Sequence, residues 1–160
     1  MVKLGKLTDY GLVLLTCMAR GKEITLHTAR DLAVESQVPL PTVSKILKAL
    51  LRKGLLVSHR GNRGGYFLAR KPLEISVAEV IAALEGPVAF TECSPGEFGL
   101  CDLEPCCPIK SNQRIISQAI LGVLEKITLA DLVQPLQLKV IKDLQGNLVP
   151  TIQSVPWRSQ

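Results

Sequence analysis

The chain has 160 residues and a mass of 17.4 kDa, which suits one domain, or a small domain with an appended arm, and leaves no room for a large multidomain enzyme. With 47% hydrophobic, 21% charged and 4% aromatic residues it buries an aliphatic core, so wholesale disorder is excluded. The formal charge of +5 divides unevenly: residues 1–72 carry thirteen Lys and Arg against four Asp and Glu, a balance of +9, and residues 73–160 carry six against ten, a balance of −4.

At the start, Lys3 and Lys6 precede the apolar run from Leu12 to Leu15, faintly like a secretory signal. Asp9 and Tyr10 interrupt it, and no small-x-small cleavage site follows Met18. No apolar run reaches the roughly 18 residues that span a bilayer. A soluble, cytoplasmic protein with no membrane contact is expected. Leu7, Tyr10, Gly11, Leu14, Leu15 and Met18 form the stripe of an amphipathic helix over 8–20, with Thr8 placed to cap it. Cys17 lies inside that stretch, far from the other cysteines, and reads as a small core residue. Residues 28–36 read as a short second helix capped by Thr28. Gln37-Val-Pro39 turns the chain, and Pro41 pre-sets a third helix that runs to Lys53 and stops at Gly54. Val43, Ile46, Leu47, Leu50 and Leu51 form its buried stripe, leaving Thr42, Ser44, Lys45, Lys48, Arg52 and Lys53 on the other surfaces. Two short helices with a tight turn, the second exposing hydroxyls and bases, predict a helix-turn-helix whose later helix enters the DNA major groove.

Residues 55–58 and 66–69 then read as two strands of a hairpin, separated by His59-Arg-Gly-Asn-Arg-Gly-Gly65. Its glycines allow positive φ and close approach to a polyanion, and Arg60 and Arg63 suit a narrow, negative minor groove. A nucleotide phosphate loop is disfavoured, because GxxxxGK[ST] is missing and no helix opens after Gly65. The head therefore reads as a winged helix with Thr28, Thr42, Ser44, Lys45, Lys48, Arg60, Arg63 and Tyr66 as candidate DNA-binding residues.

A short helix over 77–85, ended by Gly86-Pro87, leads to a loop that holds Cys93, Cys101, Cys106 and Cys107 in the spacing C-x7-C-x4-C-C. Seven acids and no Lys or Arg lie between residues 74 and 104. In a reducing cytosol, clustered cysteines serve as metal ligands or redox groups rather than disulfides. Four of them within fifteen residues, interleaved with prolines and glycines, can converge on one centre. The paired CxxC knuckles of structural zinc are missing, and adjacent Cys106 and Cys107 are poorly placed to share one small ion. Three cysteine ligands and a fourth from elsewhere favour an iron–sulfur cluster, 2Fe–2S or 4Fe–4S, with zinc or a thiol switch as alternatives. Ser111 is placed to cap a helix over 112–127 whose Ile115, Ile116, Ala119, Ile120, Val123, Leu124 and Ile127 make one broad apolar face. That face exceeds what so small a domain needs, and it predicts a homodimer. A two-fold dimer sets two recognition helices about 34 Å apart, on an imperfect DNA palindrome. The tail from 134 to 160, with three prolines and Trp157, reads as flexible or as a short strand packed on the dimer.

The segments Leu7-Thr-Asp-Tyr10, Pro41-Thr-Val-Ser-Lys45, Gly54-Leu-Leu, Arg60-Gly and Gly64-Gly-Tyr66, with the cysteine loop and the helix after it, resemble the Rrf-two-type winged-helix transcriptional regulators of the IscR and NsrR kind. The resemblance covers residues 1 to about 133. Leu73-Glu-Ile-Ser-Val77, Ala83-Leu-Glu-Gly-Pro87, Thr91-Glu-Cys93, Ser111-Asn112 and Thr128-Leu-Ala-Asp131 are similar to the branch that regulates SUF-system iron–sulfur assembly. It implies a repressor of cluster assembly genes, not an enzyme, that senses cluster, redox or nitric oxide status. It further implies Cys93, Cys101 and Cys107 as cluster ligands, because the x5 interval from Cys101 to Cys107 matches the family. The histidine that serves IscR as fourth ligand is here Lys110. The NsrR pattern instead implies Asp9, from the partner subunit, with Cys106 as the rival. A small thiol or iron–sulfur redox protein is the reading from another class; no CxxC, flavin or nucleotide motif supports it. Together these readings predict a mainly α fold with a small β wing. Residues 1–72 form the winged helix-turn-helix head, 73–133 the short helix, cysteine loop and long dimerisation helix, and 134–160 the tail.

Overall fold

The structure, a computed structural model, describes residues 4–21, 25–61, 64–87, 106–142, 145 and 148–154. Helix α1 (Lys6–Arg20) begins earlier than its apolar stripe, and Thr8 is not its cap. Thr8 lies inside the first turn, fully buried, while Gly5 holds the N-cap position without a side-chain cap bond. The reason is tertiary: the Gly5 N–H donates at 2.6 Å to Glu85 Oε1, a carboxylate from a later helix that suits the positive end of α1.

Helix α2 (Ala29–Ser36) has the expected cap. The Thr28 hydroxyl accepts from the Asp31 N–H at 3.1 Å, and the Asp31 carboxylate accepts from the Thr28 N–H at 3.3 Å. Gln37, at φ 58°, makes the left-handed turn toward α3 (Leu40–Arg52). Val43, Ile46, Leu47 and Leu50 of α3 are buried, while Leu51, expected in that stripe, is only half-buried. Gly54, at φ 73°, ends the helix: its N–H returns to the Leu51 carbonyl and the Leu55 N–H to the Leu50 carbonyl.

Strands β1 (Leu56–His59) and β2 (Gly65–Leu68) pair antiparallel, with Leu56 opposite Leu68 and His59 opposite Gly65. Tyr66 also exchanges backbone hydrogen bonds of 2.9 and 2.8 Å with His27, which ties the wing to the segment before α2. A 3-10 turn at Pro72–Glu74 leads to α4 (Val77–Leu84), capped reciprocally by Ser76 and Glu79. Helix α5 (Lys110–Lys126) starts ahead of Ser111, which does not cap it; Ile109 occupies the N-cap without a side-chain bond. Helix α6 (Leu129–Leu132) is capped by Thr128 and Asp131.

The end of α5 returns to the head. The Val77 N–H donates to the Ile127 carbonyl at 2.8 Å, and the Leu129 N–H to the Ile75 carbonyl at 2.9 Å. One core therefore joins Leu14, Leu15, Leu32, Val43, Ile46, Leu47 and Leu50 to Leu56, Ile75, Val80 and Leu129. In the C-terminal region β3 (Leu136–Lys142) and β4 (Leu148–Ser154) pair antiparallel. Over these residues the chain is a hairpin in which Leu136, Leu138 and Val140 alternate with Gln137 and Lys139, all five exposed. Trp157 lies outside the described residues. Among the described residues no helix is long and apolar enough to cross a membrane.

Candidate DNA interface and cysteine segment

Helix α3 rests on four buried aliphatic side chains, so its opposite side is held rigidly. Thr42 and Ser44 are half-buried near its start, and Lys45, Lys48, Arg52 and Lys53 are exposed along it. Among the described residues no carboxylate pairs with Lys45 or Lys48. Rigid, unneutralised cations beside short hydroxyls are the chemistry that contacts phosphates and base edges. Thr28 plays a different part: its hydroxyl donates at 2.7 Å to Asp31 Oδ2 and its N–H reaches the same oxygen, so it first sets the start of α2.

In the wing, Arg60 is exposed beside Gly61, whose φ is 135°. A Cβ on Gly64 would stand 2.7 Å from the His59 carbonyl oxygen, and one on Gly65 2.7 Å from that of His27. Backbone crowding thus explains Gly64 and Gly65. Tyr66 is half-buried and packs against the core, anchoring the wing. Arg63 lies outside the described residues. The sequence reading missed His27 as a backbone partner of the wing; a lone bridge leaves no period-2 run to find.

Cys93 and Cys101 lie outside the described residues. Cys106 is exposed, Cys107 is half-buried, and the Lys110 N–H donates to the Cys107 carbonyl at 3.4 Å, so both cysteines lead directly into α5. Either thiol is a soft donor on irregular backbone, a chemistry that fits one ligand of a thiolate-held metal centre. Asp9 is exposed in the first turn of α1. Among the described residues, however, no three His, Cys, Asp or Glu side chains gather as a metal site. Cys17 does not fit such a role: burial and the negative charge of Glu35 push its thiol up from the ordinary value. Helix α5 buries only Ser117; of its expected apolar face Ile115, Ile116 and Val123 are 64%, 48% and 47% exposed, while Ile120, Leu124 and Ile127 are half-buried.

Residues 4–135 match the Rrf2 family, described as iron-dependent transcriptional regulators. The HTH-type regulator NsrR of Shouchella clausii is 32% identical over 132 residues, covering 82% of this chain and 89% of that protein. IscR of Serratia proteamaculans is 32% identical over 148 residues, covering 89% of this chain and 87% of that protein. Among solved structures, CymR, the global cysteine regulator of B. subtilis, superposes with a TM-score of 0.68 at 28% identity, covering 83% of this chain and 97% of that one. IscR of T. potens gives 0.61 at 27% identity, covering 82% and 86%. With its helix-turn-helix, its two-stranded wing and these relatives, the chain belongs to the Rrf2 family of winged-helix transcriptional regulators, a family of DNA-binding proteins and not of enzymes.

Proposed function

We propose that this protein is a homodimeric repressor of iron–sulfur assembly genes that carries an iron–sulfur cluster and binds an imperfect DNA palindrome. The observation that carries the reading is the junction of Cys106 and Cys107 with α5: the cysteines open onto a helix that leaves Ile115, Ile116 and Val123 exposed. Cys93, Cys101 and Cys107 would hold the cluster, with Asp9 of the partner subunit as fourth ligand and Cys106 as its rival. Bound there, the cluster supplies a redox- and nitric-oxide-sensitive centre. For their part, Lys45 and Lys48 bind phosphates, Thr42 and Ser44 sit toward base edges, and Arg60, with Arg63, reaches the minor groove.

Anaerobic purification tests this directly. Iron and sulfide with visible charge-transfer absorption are expected, and both are lost when Cys93, Cys101 or Cys107 is changed to Ala. Asp9→Ala is expected to change the spectrum, and an unchanged cluster in that variant would remove Asp9 from the ligand set. A colourless protein holding zinc would overturn the cluster reading. The second reading is a thiol switch, favoured by likeness to S. aureus CymR, solved in an oxidised form, with a TM-score of 0.63 and 25% identity. A metal-free protein whose DNA binding follows reversible oxidation of Cys106 or Cys107 would establish that reading instead.

A further inference from the structure

We infer that Leu84 and Glu85, at the end of α4, are positioning residues that grip α1 at two points and so link the cysteine segment to recognition helix α3. The first grip is steric. Gly11 faces both neighbours in the middle of α1: a Cβ there would overlap Leu84 Cδ1 and touch Ile46 Cγ2 at 3.6 Å. Glycine is unfavourable inside a helix, and this close approach is what requires it. Leu84 of α4 and Ile46 of α3 therefore both border the space that a side chain on Gly11 would take, and Ile46 is only 1% exposed.

The second grip is polar. Glu85 Oε1 accepts the Gly5 N–H at 2.6 Å, and the Gly5 carbonyl in turn accepts the Thr8 and Asp9 N–H groups at 3.1 Å. Glu85 thus fixes the turn that carries Asp9. Immediately beyond it Gly86 has φ 98°, and Pro87 leads toward Cys93. A displacement at the start of the cysteine segment is delivered to both grips. Close-packed side chains pass it on to Ile46, because such interiors yield little. What would drive the displacement rests on the cluster reading above.

The test uses the full chain, purified anaerobically, and a DNA duplex selected by the wild-type protein from a random-sequence pool. Affinity is measured with the cluster loaded and after its removal. Gly11→Ala is expected to weaken binding of the cluster-free protein about tenfold, and adding Leu84→Ala to recover most of it. Should Gly11→Ala fail to fold, recovery of folding by Leu84→Ala supports the contact equally. Absence of rescue in either form overturns the steric link. The Leu84→Ala, Glu85→Ala double variant, which removes both the side-chain contact and the acceptor of the Gly5 N–H, is expected to keep the wild-type cluster-free affinity while losing the affinity difference between cluster-free protein and protein verified to carry the cluster. A wild-type difference in that variant overturns the inference. A wild-type protein without a cluster, or without any difference, overturns the cluster reading alone, and the Gly11 rescue still decides whether the link exists.

Discussion

Cys17 inhabits a different environment from Cys106 and Cys107. It is 7% exposed, and burial together with the negative charge of nearby Glu35 raises its thiol pKa, so near neutral pH it stays protonated and a poor nucleophile. In the folded, metal-free protein, iodoacetamide is expected to alkylate Cys106 well before Cys17, as peptide mass mapping over time would show; equal rates would contradict this placement. Glu79 titrates in the opposite direction. Burial alone would raise its carboxyl, but the Ser76 N–H at 3.0 Å and the Arg70 guanidinium at 2.6 Å outweigh it and hold it below its ordinary 4.5. A lowered carboxyl contributes stability above the unfolded value that is lost as pH falls through the folded one. Because both partners are about two-fifths exposed, with side-chain exposures of 41% and 42%, the ion pair itself is worth roughly 0–1 kcal/mol. Thermal unfolding of wild type and Glu79→Gln should therefore differ near neutral pH and converge in acid below 4.5; a gap that persists there would contradict it.

Elements with local signals were legible in the sequence. The period of Val43, Ile46, Leu47 and Leu50, with Gly54 behind it, marked α3, and the Thr28 cap marked α2, because each partner lies within a few residues. The start of α1 was misread, since its cap is Glu85, eighty positions away. The sequence of the β3–β4 hairpin is compatible with either a flexible tail or a short strand. Its alternation is clear, but it sits beyond residues 4–135, which match the family. Of the proposed cluster ligands Cys93, Cys101 and Cys107, the first two fall outside the described residues. In the wing, Gly65→Ala places a methyl group against the His27 carbonyl, at 2.7 Å before relaxation. Overpacking of this kind costs about 1–3 kcal/mol, and hydrogen exchange should show it as faster exchange at the Tyr66 amide, which donates to His27. Unchanged protection there would mean that the wing shifts freely.

For the whole molecule, charge separation and family membership converge. A head of +9 precedes a region of −4, and the positive part contains α3 and the wing. Each phosphate neutralised by a lysine releases condensed counterions, so Lys45→Ala and Lys48→Ala should each flatten the slope of log affinity against log salt by about one. A slope equal to that of wild type would place these lysines off the DNA. In the proposed homodimer, the exposed Ile115, Ile116 and Val123 of α5 are where a second chain would pair to present two such heads. The most direct measurement of the regulatory claim is equilibrium binding of anaerobic, cluster-loaded and cluster-free protein to one selected palindromic duplex at fixed salt. The two forms are expected to differ in affinity by at least about fivefold. Equal affinities, with the cluster verified on the protein, would contradict the account.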